Sequence, residues 1–79
     1  MKTLINVIAP DGTVLTKTTS RKNVSHVTIY KMKGQYKIDT LHISKEHGLK
    51  AIQDYRALVA KFNKTPEQLG LTEHQVLPI

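Results

Sequence analysis

Apolar side chains alternate with polar ones as far as Ile43, and from Lys45 they recur at three- and four-residue steps, a change from strand to helix periodicity. Thr3 to Ala9 is rich in β-branched residues, and Pro10-Asp11-Gly12 behind it predicts a turn, because Pro fixes φ and Gly tolerates positive φ. Thr13 to Thr19 resumes as a strand, so residues 3–19 read as a β-hairpin. Its second arm, carrying Thr13, Thr16, Thr18 and Thr19, suits an exposed surface. After the polar connection Ser20-Arg21-Lys22-Asn23, Val24 to Met32 forms a third strand. Val27 and Ile29 fall on one of its faces and His26, Thr28, Tyr30 and Met32 on the other, so neither face is wholly polar. Lys33-Gly34-Gln35 is a tight turn, and Tyr36 to Ile43 returns as a fourth strand. The apolar phase slips between Ile38 and Leu41, which calls for a bulge near Asp39-Thr40 or a strand end covered on both sides.

Ser44 is a good N-cap for a helix running from Lys45 to about Asn63. Leu49, Ile52, Tyr55, Val59 and Phe62, with Ala51 and Leu58 beside them, define its apolar stripe, which must cover a sheet face. Thr65-Pro66-Glu67-Gln68 is a capping box with Pro at the first helical position, and Gly70 is its stop. Thr72-Glu73-His74-Gln75 repeats the box pattern before an apolar tail that docks on the core or frays. The expected fold is α+β in the order ββββα. It is an antiparallel β-meander of three to four strands, one face covered by a C-terminal amphipathic helix, with short helical turns at the C-terminus and a single domain over residues 1–79.

Charge adds the one pointer to function. Of 12 basic and 6 acidic residues, the stretch from Lys17 to Lys37 holds six basic residues and no Asp or Glu, so the formal net charge of +6 resides in it. A charge of this size favours an anionic partner. There is no Cys, which removes disulfide and thiolate chemistry and suits a reducing cytoplasm. The opening Met1–Pro10 has too short an apolar run for a secretion signal or a membrane span, so a first strand is expected and no membrane role.

The motifs offer little chemistry of other kinds. His26, His42, His47 and His74 belong to different elements and lack metal-ligand spacing, so neither a metal nor another cofactor is expected. A catalytic reading gathers Asp39, His42 and Ser44, or places His26 with Tyr30 and the lysines as an RNA-cleaving toxin site. The chain shows no nucleophile elbow, phosphate-cradling Gly loop or paired carboxylates, so no enzyme is expected. The expected function is a small nucleic-acid-binding domain, DNA in preference to RNA. Lys17, Arg21, Lys22, Lys31, Lys33 and Lys37 would meet phosphates, with Tyr30 and Tyr36 stacking or hydrogen bonding beside them. The alternative is a protein-interaction module or inhibitor of the phage or mobile-element kind, binding an acidic host protein. In either case the chain is a monomer or a homodimer joined through an edge strand at residues 3–9.

Over roughly 35 residues, Val27 to Lys31, Gly34-Gln35-Tyr36-Lys37 and the helix with Ala51 and Tyr55 resemble the three-stranded DNA-binding domains of the AP2 and integrase amino-terminal type. The resemblance implies a sheet lying in the major groove and backed by the helix. The characteristic Arg and Trp positions of the plant members are missing from this chain.

Overall fold

The computed structural model describes residues 2–79. Strands β1 (Thr3–Ile8) and β2 (Val14–Thr19) pair antiparallel as a hairpin. Its turn is closed by Gly12 N donating to Ala9 O at 2.9 Å, with Thr13 N donating to Asp11 Oδ1 at 2.9 Å. Gly12 has φ 91°, the conformation the Pro-Asp-Gly sequence predicts. β3 (His26–Met32) and β4 (Gln35–His42) form a second hairpin. Its two central residues, Lys33 and Gly34, have φ 53° and 79°, as a type I′ turn demands. Helix α1 spans Lys45–Ala60 and is capped by Ser44 Oγ, which accepts from His47 N at 3.2 Å. A 3-10 turn at Glu67–Leu69 follows, with the reciprocal capping box in place. Thr65 N donates to Gln68 Oε1 at 2.8 Å and Gln68 N to Thr65 Oγ1 at 3.3 Å, and Gly70 at φ 86° ends the turn.

The fold is α+β, with five antiparallel strands in two sheets. Two features of the expected meander change. β2 pairs only with β1, and residues 72–78, read as a second capping box and a tail, are a fifth strand, β5 (Thr72–Pro78), on the free edge of β3. An unpaired β3 edge beside a buried face would leave backbone donors and acceptors unsatisfied, and that demand overrides the local helix-start pattern. The three-stranded sheet therefore has the order β4-β3-β5, with β3 at its centre.

Both faces of this sheet are covered. The β1–β2 hairpin lies on one, where Ile5, Val7 and Ala9 pack with Val27, Ile29, Tyr36 and Leu41. Val27, Thr28 and Ile29 are wholly buried, and each fully buried aliphatic side chain is worth roughly 1.5–3 kcal/mol. The sheet face that the three-stranded DNA-binding resemblance would lay in the major groove is thus occupied by the protein's own hairpin. Helix α1 lies on the opposite face, where Thr28 hydrogen bonds with Thr40 across the strands. Its closest approach is at Gly48, where a Cβ would come 2.9 Å from both Val76 methyl groups.

The helix stripe is narrower than its periodicity predicts. Gly48 and Val59 are buried and Ala51, Ile52 and Tyr55 half-buried, but Leu49, Leu58 and Phe62 are 44%, 54% and 71% exposed. A three-stranded sheet supports only the middle of the helix face, and Phe62 lies beyond the last helical residue, Ala60.

Two stability changes follow from this geometry. Gly48→Leu should cost about 1–3 kcal/mol through overpacking against Val76, read as a lower midpoint in urea unfolding, and Val76→Ala in the same chain should recover part of it. Lys33→Asn should stabilise by about 0.5–1 kcal/mol, because Asn tolerates the left-handed region that a type I′ turn requires better than Lys does.

Candidate nucleic-acid interface

The cations of the Lys17–Lys37 stretch divide between the two ends of the β3–β4 hairpin. At the end away from the turn, the connection after β2 bounds an open cleft of about 640 Å³. Thr3, Thr19, Ser20, Arg21, Lys22 and Asn23 supply its polar lining, with Ile5 and Val24 as its apolar part and no acidic side chain. Lys17 stands beside this cleft, opposite Ile5 in the hairpin register. The connection is held in shape locally. Arg21 N donates to Thr19 Oγ1 at 3.0 Å, and Asn23 takes φ 62°. The Arg21 guanidinium is anchored by Nη1 donating to Leu41 O at 3.1 Å, which spends one of its five N–H donors. Its charge also acts on His42. Burial, and after it the charges of Arg21 and His47, hold the His42 imidazole below its ordinary range.

At the turn end, Lys33 and Lys37 are exposed, while Lys31 is engaged. Lys31 Nζ lies 3.6 Å from Glu73 Oε2 and 5.3 Å from the centre of the Tyr36 ring. Tyr36 is 7% exposed and part of the core, so its ring is not presented for stacking. Burial, with the Glu73 carboxylate assisting, keeps its hydroxyl above the usual phenol range. Tyr30 is half-buried and faces His74 edge to face at 6.5 Å. Arg21 and Lys22 are thus brought together, with Lys17 on the adjoining strand opposite Ile5. Lys33 and Lys37 form a second group, separated from Leu41 and its Arg21 contact by four residues of β4, about 13 Å.

The residues weighed for catalysis are engaged with other partners, although the register of β3 and β4 sets His26 directly opposite His42. Ser44 caps α1, and His42 Nε2 is 2.6 Å from Thr40 Oγ1. His26 Nδ1 is 2.8 Å from Ser25 Oγ. Asp39 meets His74 instead of His42, with Nε2 3.3 Å from Oδ2 at ion-pair range. That pairing was not legible in the sequence because it depends on two bulges. Opposite Thr28 and Ile29, β4 carries Asp39 as an extra residue, and opposite Ile29 and Lys31, β5 carries a second irregularity with Glu73 at φ 50°. The His74 side chain is only 2% exposed and packs edge to face on Tyr55 of α1 at 5.8 Å, so it sits inside the helix–sheet interface, out of reach of a substrate.

Among the described residues no group of three or more His, Cys, Asp or Glu side chains is placed to hold a metal, and no helix is long and apolar enough to cross a membrane. Comparison of the chain with protein-family models, with curated proteins and with solved structures gives no match.

His42 carries a pH signature. Its neutral form is favoured in the folded state, so the unfolded chain takes up the proton first as pH falls. Its contribution is complete above about pH 6.5, the ordinary imidazole value, and is lost as pH falls from there through the lowered folded value. Thermal melts should show stability falling as pH drops below about 6.5, with a shallower slope in His42→Gln. Arg21→Ala should move the His42 midpoint upward in an NMR titration, because a neighbouring cation is removed.

Proposed function

We propose that this protein binds nucleic acid through the phosphate backbone, with Arg21, Lys22 and Lys17 as the principal contact and Lys33 and Lys37 as an outlying one. The observation that carries this reading is the hydroxyl- and amide-lined cleft at Arg21 and Lys22, which has two cations and no carboxylate in its lining. Arg21 keeps four guanidinium donors after its bond to Leu41 O, and Ser20, Thr19 and Asn23 add neutral donors of the kind that accompany Arg and Lys at phosphates. Lys31 is left out of the contact, because Glu73 already compensates its charge. With Tyr36 in the core and the sheet face under the hairpin, reading of bases by the sheet has no surface to use. The binding is sequence-independent and electrostatic.

A salt titration of binding to a duplex oligonucleotide tests this. With the five cations engaged, log K should fall against log salt with a slope of about −4 to −5. Arg21→Ala with Lys22→Ala should make that slope shallower by about 2, and Lys31→Ala should leave it nearly unchanged. The His42 ring should register the ligand as an upward shift of its midpoint, since phosphate offsets the Arg21 charge. An affinity indifferent to salt, or one unaffected by the Arg21 and Lys22 changes, would overturn the proposal.

A further inference from the structure

A second surface lies on the other side of the molecule's chemistry. The last two turns of α1 and the 3-10 turn form the walls of an open groove of about 470 Å³, lined by Tyr55, Leu58, Val59, Phe62 and Leu69 with Lys64 at its rim. Phe62, Leu58 and Leu69 are 71%, 54% and 46% exposed, a concentration of bulky apolar side chains that a lone surface leucine would not amount to. The groove is structurally defined on both sides. Lys64 N donates to Val59 O at 3.3 Å at the helix end, and Arg56 Nη2 donates to Glu67 Oε1 at 3.3 Å, which ties the 3-10 turn back to the helix. From Tyr55 to Phe62 the helical wall is about 10 Å long, which admits two anchoring side chains one helical turn apart.

The charges around the groove select the occupant. Arg56 is matched by Glu67 at 3.3 Å. Lys61 and Lys64, beside Phe62, make no ion pair among the described residues, while Asp54 lies one turn before Leu58 at the other end. A second copy of the chain would have to dock against a molecule that carries the same net charge of +6. An acidic amphipathic helix supplies apolar anchors and the complementary charge together. We propose that this groove docks such a helix from a partner protein. Two bulky apolar residues three or four positions apart would enter between Leu58, Phe62 and Leu69, and flanking carboxylates would meet Lys61 and Lys64. The site is independent of the Arg21–Lys22 cleft, so the protein joins a nucleic acid to a protein ligand, and either half stands if the other fails.

The test uses the full chain and three synthetic helical peptides. One has leucines at helical spacing with glutamates elsewhere, one has lysines in place of the glutamates, and one has serines in place of the leucines, with binding followed by fluorescence anisotropy. The leucine–glutamate peptide should bind saturably, and the serine peptide at least tenfold more weakly. Phe62→Ser, at a position exposed enough to leave the fold intact by circular dichroism, should weaken binding at least tenfold. Lys61→Glu with Lys64→Glu should reverse the preference toward the leucine–lysine peptide, and Arg21→Ala with Lys22→Ala should leave affinity within about twofold. Equal binding of the glutamate and lysine peptides, indifference to Phe62→Ser, or loss on removing Arg21 and Lys22 would overturn the proposal. So would a concentration-dependent dimer in sedimentation that Phe62→Ser dissolves, or adsorption to anionic lipid vesicles through Phe62 without peptide binding.

Discussion

The whole arrangement depends on how β3 is satisfied. Val27, Thr28 and Ile29 lose all contact with water, so every polar group they carry needs a partner inside the protein and every apolar face needs a cover. β4 supplies one edge, β5 the other, the β1–β2 hairpin one face and α1 the opposite face. Thr28 shows how tightly the condition is met. It is the buried polar side chain of this core, and its hydroxyl is tied to the Thr40 hydroxyl and accepts from Thr40 N at 3.0 Å. With both faces taken, the sheet has none left to offer a ligand. The surfaces that remain exposed are the outer side of the β1–β2 hairpin, the ends of the hairpins and the outer flank of the helix.

Two irregularities adjust the edge strands to that centre. The extra residue at Asp39 in β4 and the left-handed Glu73 in β5 stand on either side of β3, and together they bring Asp39 and His74 to 3.3 Å beneath α1. Glu73 also lies 3.6 Å from Lys31, so the irregular part of β5 both buries His74 and sets a carboxylate beside a lysine. A residue held at positive φ carries a backbone cost of order 1–3 kcal/mol, and here it is retained by the packing of β5 against the helix.

The surface chemistry then separates by location. Arg21 and Lys22, in a cleft without a carboxylate, lie where the chain crosses from β2 to β3. Uncovered apolar side chains form two groups, Leu58, Phe62 and Leu69 where the helix outruns the sheet, and Leu4, Ile8 and Val14 on the β1–β2 hairpin. A molecule 41 Å along its longest axis and 18 Å along its shortest has room for both without overlap.

Much of the fold was legible in local pattern. The Pro-Asp-Gly and Lys-Gly turns, the Ser44 cap, the Thr65–Gln68 box, the Gly70 stop and the slip near Asp39 all act through neighbours a few residues away, so local pattern was enough to specify the first four strands, the helix and the 3-10 turn. It also determined that the charge lies between Lys17 and Lys37, and so which stretch to search for a site. Only the tertiary structure decided that β5 exists, because Thr72-Glu73-His74-Gln75 carries a helix-start signal that loses to the unpaired edge of β3. The same long-range packing decided which candidates remain available. Tyr36 went to the core, Lys31 to Glu73, and Phe62 to solvent, since periodicity says which side of a helix is apolar but not how wide a sheet will be there to meet it.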